Sequence, residues 1–288
     1  ADANSTITFS ITGGADSNSF TVTDSTLAFG SAPNYEAQQS YVVVVTASDG
    51  SNTTTQEITV NLTNVNDIAP VFTSADAFSV AEGTDAVATL TGSDAEGDSV
   101  SFSTTLAGDD AGDFTLSSSG ALAFAATPNF ESPADANTNN VYSITATITD
   151  GTNTSTQAIT VTVTDTNDNS PVLSVSTPYS VAENTTSVGT VSATDADANS
   201  TITYTLSGTD AADFTLSSSG ALAFATNPDF EAPSDADTDN SYSLSVTASD
   251  GTNADTKAIV VNVTDTNDES PAFTSASSFT VADTQTAV

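Results

Sequence analysis

The 288-residue sequence has no cysteine, histidine, methionine or tryptophan, and its only basic residue is Lys257. Without cysteine there are no disulfides and no thiolate metal sites. Without histidine the commonest general base and the commonest transition-metal ligand are gone. Against one basic residue stand 37 acidic ones, for a formal net charge of -36. That balance excludes nucleic acid, heparin and anionic membranes as partners, because each needs a basic surface. Long apolar runs are also missing: Tyr41–Val45 is far short of the ~18 residues of a membrane helix. The opening Ala1–Phe9 has no basic stretch and is not expected to be a signal peptide. Leu, Ile, Val and Phe make up about a fifth of the chain, close to the ~20% below which high charge implies disorder. The pattern of these residues therefore decides between a fold and a disordered chain.

The pattern is repetitive. TDTNDNSP starts at Thr164, TDTNDESP at Thr264 and TNVNDIAP at Thr63; DFTLSSSGALAFA starts at Asp113 and again at Asp213. The spacing of about 100 residues is that of a small domain rather than a solenoid turn. Complete repeats are expected at 69–168 and 169–268, a repeat lacking its first two strands at 1–68, and the start of a fourth at 269–288. The chain is therefore expected to be an excerpt of a longer array. Within a repeat the hydrophobic period is two, as in Tyr142, Ile144, Ala146 and Ile148, then Ile159, Val161 and Val163. Asp150-Gly151 and Asp250-Gly251 lie between such runs and signal hairpin turns. In the repeat 69–168 this predicts seven strands, at 77–81, 86–92, 99–106, 113–117, 121–125, 141–149 and 155–164. The fold class is all-β, with tandem seven-stranded Greek-key immunoglobulin-like sandwiches in a linear array.

Strand parity places the acids. If each strand reverses direction, loops one–two, three–four and five–six and the exit of strand seven share one end, and the other loops share the opposite end. Glu82, Glu131, Asp165, Asn167 and Asp168 fall at the lower end of one repeat; Asp195, Asp197 and Asp250 fall at the upper end of the next. The connection between them spans only Asn169 to Pro171, so seven carboxylates and no basic residue are expected at one junction. Unscreened, that density costs several kcal/mol. An all-oxygen donor set selects hard cations, and scattered loops offering many oxygens suit Ca²⁺ better than Mg²⁺. Asp109, Asp110, Asp113 and Asp213 are expected only to solvate their loop. Asp135, Asp235, Asp237 and Asp239 are intermediate: a peripheral cation or a hydrophilic loop.

These residues resemble the cadherin repeat family over essentially the whole chain. Asp165-Thr166-Asn167-Asp168-Asn169-Ser170-Pro171 is similar to the family's DxNDNxP linker, and Asp195-Ala196-Asp197 to its DxD. Glu82 and Glu183 match the Glu ending the first strand, Glu131 and Glu231 the last residue of LDRE, Asp229 its Asp, and Asp250 the Asp ending strand six. The resemblance implies about three Ca²⁺ per complete junction and an array stiffened by them. The first junction departs from the pattern. Its linker reads Asn64-Val65-Asn66-Asp67-Ile68, its DxD is Asp94-Ala95-Glu96, and Asn34 and Asn129 replace the Asp of LDRE. It keeps Glu36, Asp67, Asp94, Glu96 and Asp150, five carboxylates against seven, which predicts weaker Ca²⁺ binding. A third set comprises Glu183, Asp229, Glu231, Asp265, Asn267 and Asp268, followed by Glu269 where the family has Asn; Asp2 and Asp49 match upper ligands of a preceding junction. Without Trp, the strand exchange of animal cadherins lacks its anchor. The Ser, Thr, Ala and Asp richness is similar to cadherin-type repeats of large bacterial adhesins.

The expected function is a Ca²⁺-binding extracellular rod or adhesive segment in cell adhesion, part of a larger secreted or membrane-anchored protein. Three repeats would extend at least ~100 Å, at ~30 Å per nine-residue strand. Its partners would be adjacent repeats, other cadherin-like arrays in homophilic contact, or surface glycans. The alternative is a module binding polysaccharide or a cell surface, though most Phe fall on inward positions. Catalysis is not expected: the acids recur in every unit, and no nucleophile elbow or phosphate loop is present.

Overall fold

The computed structural model describes residues 6–198, 200–275, 277, 278, 280, 281 and 283. They form two compact units, which divide between Thr164 and Asp165.

The first unit holds two hydrophobic cores. The N-terminal one lies between β1 (Thr8–Gly13), β2 (Phe20–Thr23), β3 (Thr26–Phe29), β4 (Ser40–Ser48) and β5 (Thr53–Asn61). The sheet β1-β4-β5 and the hairpin β2-β3 bury Phe20, Tyr41 and Val43. The second is a full sandwich of β6 (Val71–Phe72), β7 (Ala77–Ala81), β8 (Ala86–Thr89), β9 (Gly92–Ser93), β10 (Ser101–Phe102), β11 (Phe114–Leu116), β12 (Ala121–Phe124), β13 (Val141–Thr149) and β14 (Thr154–Thr164). Sheet β10-β13-β14-β7 packs over sheet β11-β12-β8, with β6-β9 as a short edge pair. Alternation along β13 and β14 sends Tyr142, Ile144, Ala146, Ile148, Ile159, Val161 and Val163 into the core, while Ser and Thr face outward. Inside it Tyr142 meets Phe114 and Phe124 edge-on, with centroids 5.5 and 5.2 Å away, and the two Phe rings lie tilted on each other at 4.5 Å.

The second unit repeats this plan with β15 (Val172–Ser174), β16 (Tyr179–Ala182), β17 (Ser187–Thr190), β18 (Ser192–Thr194), β19 (Thr203–Ser207), β20 (Phe214–Leu216), β21 (Ala221–Phe224), β22 (Ser241–Ser249) and β23 (Ala254–Thr264). Its sheets are β16-β23-β22-β19, β17-β21-β20 and β15-β18. In both full sandwiches the strand before the first Glu runs parallel to the last strand, with Ala77–Ala81 on Thr160–Thr164 and Tyr179–Ala182 on Val261–Thr264. Strands one and seven run parallel, as they must if every intervening strand reverses in the way the parity argument assumes.

Three expectations change. The strand foreseen at 86–92 divides, because 86–89 pairs with β12 while 92–93 turns to β6. The strand foreseen at 99–106 shortens to two residues. Ser103 Oγ donates to Thr105 O and accepts from Thr105 N (both 3.2 Å), so the side chain competes with the ladder. The start of a fourth repeat foreseen at 269–288 shows no strand among the described residues: none of those beyond Thr264 is in a strand, and Phe273 is 97% exposed. A strand needs a paired neighbour, and the described residues supply none to this segment.

Candidate metal centre

The acids at the repeat ends are held by backbone N–H groups. Each hairpin aspartate folds the turn onto itself: Asp49 Oδ1 accepts from Ser51 N and Asn52 N, Asp150 Oδ1 from Thr152 N and Asn153 N, and Asp250 Oδ1 from Thr252 N and Asn253 N, all at 2.6–2.9 Å. The Asn52 and Ser51 amides hold the Asp49 carboxyl below the usual range. At Asp150 and Asp250 burial pushes the other way and the hydrogen bonds outweigh it, leaving both lowered.

In the first unit, carboxylate oxygens of Glu36, Asp67 and Glu96 lie within 4.8 Å of one another. Glu96 Oε2 accepts from Asp67 N (3.0 Å) and Ile68 N (2.8 Å), so the linker is tied to the loop after β9. Asn153 Nδ2 donates to Asn66 Oδ1 (2.6 Å) and Asp150 Oδ2 (3.2 Å), tying the same linker to the β13–β14 turn. Asn64 is exposed in the linker. Asp94, Glu96 and Asp98 form a second set of oxygens within 4.8 Å. Asp98 was not foreseen; its signal was the alternate spacing Asp94, Glu96, Asp98. At the other end of this sandwich Glu82, 5% exposed, accepts from Phe130 N at 2.7 Å, and its oxygens come within 4.8 Å of those of Glu131.

In the second unit, Asp197, 4% exposed, accepts from Asn169 N (3.0 Å) and Asn169 Nδ2 (2.7 Å) and has an oxygen within 4.8 Å of Asp165. Asp195 Oδ1 accepts from Asp197 N (3.0 Å), and Asn253 Nδ2 donates to Asn169 O (2.9 Å). With its amide nitrogen turned inward, Asn167 donates to Asp250 Oδ2 (3.0 Å) and Asp197 Oδ2 (3.2 Å). Asp168 follows in the same linker. At the far end Glu183, Asp229 and Glu231 share a 4.8 Å group, and Asn184 Nδ2 donates to Asp268 Oδ2 (2.7 Å). Asp265 and Asn267 lie exposed beside it. The Phe230 and Thr266 amides hold the Glu183 carboxyl low. Loss of water around Glu231 raises its carboxyl, and the charges of Glu183, Asp265 and Asp268 add to that. Asp2 lies outside the described residues.

These sets fit a hard cation. Every donor is oxygen. The buried oxygens Asp94 Oδ2, Glu96 Oε1 and Asp195 Oδ2 have no hydrogen-bond partner, a costly state that a cation relieves. The only basic side chain, Lys257, is engaged elsewhere, by Leu173 O and Asp255.

A different set of acids is structural, and here the expectation for Asp110 is corrected. Asp110 is 3% exposed and accepts from Ala136 N (2.8 Å) and Ser143 N (2.7 Å). Asp210 repeats this with Ala236 N and Ser243 N, and Asp16 with Val42 N and Gln38 Nε2. The signal was Gly-x-Asp-x-x-x-Phe at 14–20, 108–114 and 208–214. The glycine is required: at Gly108 φ is +107° and a Cβ would stand 2.8 Å from Ser143 O. Asp109 stays exposed, while Asp113 and Asp213 are half-buried. Burial raises the Asp113 carboxyl, with Asp110 and Asp135 adding their charge.

Fold and site define a class, tandem immunoglobulin-like sandwiches with acid-lined ends. The cadherin domain family model matches residues 177–264, and a bacterial Ig domain model matches residues 66–164. Human cadherin EGF LAG seven-pass G-type receptor 1 is 40% identical over 79 residues, 25% of this chain and 3% of that protein. The mouse receptor 2 is 39% identical over 77 residues, with the same shares. The chain thus spans a few hundredths of these relatives' length. Among solved structures, protocadherin gamma B2 extracellular cadherin domains 3–6 superpose with a TM-score of 0.66 at 23% identity, over 93% of this chain and 68% of that one. Mouse cadherin-23 EC22–24 gives 0.66 at 22%, over 90% and 86%.

Proposed function

We propose that this chain is a Ca²⁺-binding stretch of extracellular cadherin-type repeats that serves cell adhesion as a rod or adhesive segment of a larger surface protein. The observation that carries the reading is the gathering of carboxylates at repeat ends with buried oxygens that no donor satisfies. Repeat boundaries at 68, 168 and 268 follow from it. Glu36, Asp67, Asp94, Glu96 and Asp150, with the Asn66 and Asn64 oxygens, would hold ions at the first junction. By equivalence with that set, Glu82, Glu131, Asp165, Asn167, Asp168, Asp195, Asp197 and Asp250 would hold them at the second. Glu183, Asp229, Glu231, Asp265, Asn267 and Asp268 offer the lower half of a third site, and Asp49 with Asp2 the upper half of an earlier one. Bound Ca²⁺ supplies positive charge, which cancels the repulsion that otherwise pushes the ends apart. The Asn167 amide is suited to both states: its nitrogen answers bare carboxylates, and its oxygen joins them around a cation. Each ion adds about 1.4 kcal/mol when free Ca²⁺ exceeds its Kd about tenfold.

The test is a thermal melt with Ca²⁺ and then with chelator, paired with small-angle scattering. A raised melting temperature and a longer maximum dimension with Ca²⁺ are expected; both unchanged would refute the reading. Among the described residues the exposed large aromatics are Phe9 and Phe273, in different units, so no aromatic strip favours a glycan-binding reading. Homophilic contact between arrays is tested by Ca²⁺-dependent aggregation of coated beads.

A further inference from the structure

The loop before β22 carries acids that the repeat-end groups leave unused. Asp235-Ala236-Asp237-Thr238-Asp239-Asn240 places carboxylates at positions one, three and five, followed by a residue that permits a sharp turn. This is the spacing with which a single calcium loop presents its first three ligands before a left-handed sixth residue. The backbone follows suit: φ is +56° at Thr238 and +64° at Asn240. Asp235, 3% exposed, accepts from Asp239 N (2.8 Å) and Asn240 N (3.3 Å), which curls the loop around it. Asp210 accepts from Ala236 N of the same loop at 3.0 Å.

The sixth residue gives an independent observation. In the equivalent loop Asn140 is 8% exposed. Its Nδ2 donates to Phe130 O (2.8 Å) and its backbone N to Asp135 Oδ1 (3.1 Å), so the amide is enclosed by the 130–140 loop. Its Oδ1 is buried there with no partner. Asn240 does the same, with Nδ2 on Phe230 O (2.9 Å) and an unpartnered Oδ1. A buried oxygen without a donor, inside an acidic loop and in both repeats, calls for a cation or a water held by one.

We propose that residues 235–240 form a Ca²⁺ site inside the repeat, separate from the repeat-end groups, with Asp235, Asp237 and Asp239 as ligands. Residues 135–140 are its weaker counterpart, since Asn137 and Asn139 replace two of the three carboxylates.

The test is Ca²⁺ titration of the full 288-residue chain followed by amide NMR. The Asp239, Asn240 and Ser241 amides are expected to shift saturably. Asp237→Ala should weaken that response about tenfold or more, while the Asn169 and Asp197 amides respond as in the parent. Asp237 is exposed, so the variant should fold, checked by an unchanged melt in chelator. The proposal is overturned if the loop amides stay still while Asn169 and Asp197 saturate, if nothing shifts, or if Asp237→Ala responds like the parent. If the loop shifts and Asn169 and Asp197 do not, this site stands and the repeat-end reading fails.

Discussion

Replacing Asp110 by Ala should be among the most damaging single changes to a surface loop of this protein. The carboxylate is 3% exposed and is the acceptor for two backbone donors, Ala136 N at 2.8 Å and Ser143 N at 2.7 Å. Alanine leaves both N–H groups without an acceptor. At about 1–3 kcal/mol for each donor left unsatisfied, the loss for the two is about 2–6 kcal/mol. For a sandwich of this size about 1 kcal/mol moves the melting temperature by 4–8 °C, so the transition of the sandwich built on β6–β14 should fall by about 10 °C or more. Asp110→Asn keeps one oxygen and should fall between. Asp109→Ala removes the exposed neighbour and should stay within about 0.5 kcal/mol. Calorimetry reads the transition, and hydrogen exchange reads whether Ala136 and Ser143 lose protection. Equal melting of the Asp110 and Asp109 variants, with both amides still protected, would show that the carboxylate is not what secures these donors.

Asp16 gives a pH test: Gln38 and then Val42 N hold its carboxyl below the ordinary aspartate value of 3.8. A depressed folded value means that its stabilising effect is complete above about pH 4 and is lost as pH falls through the folded value. Asp16→Asn should therefore lower stability at neutral pH and flatten the acid limb below pH 4, read by denaturant titration at several pH values. Asn64→Asp restores the missing carboxylate of the first linker and should tighten Ca²⁺ binding there, measured by calorimetric titration; unchanged affinity would remove Asn64 from the ligand set. Gly108→Ala meets Ser143 O at 2.8 Å at φ +107° and should cost about 1–3 kcal/mol by melt.

Strand positions were legible because period-two alternation and repeated turns leave few alternatives; β13 and β7 fall on the foreseen spans. What escaped the sequence depended on partners. Whether 86–92 is one strand or two is set by which neighbour each half meets, and a one-dimensional pattern does not show that. The acids divide likewise. Asp109 and Asp110 are adjacent and chemically identical, yet one is exposed and the other nearly sealed. Only the recurrence of Gly-x-Asp-x-x-x-Phe separates them. Parity predicts which acids lie at the repeat ends without knowledge of packing, whereas Asp98 needed the loop's fold to join Asp94 and Glu96.

The side-by-side pairing of Ala77–Ala81 with Thr160–Thr164 also fixes how the sandwich carries tension. Pulling its two ends in opposite directions slides these parallel strands along each other, so all five residue pairs are loaded together and none is peeled first. Such a clamp resists until the whole ladder ruptures.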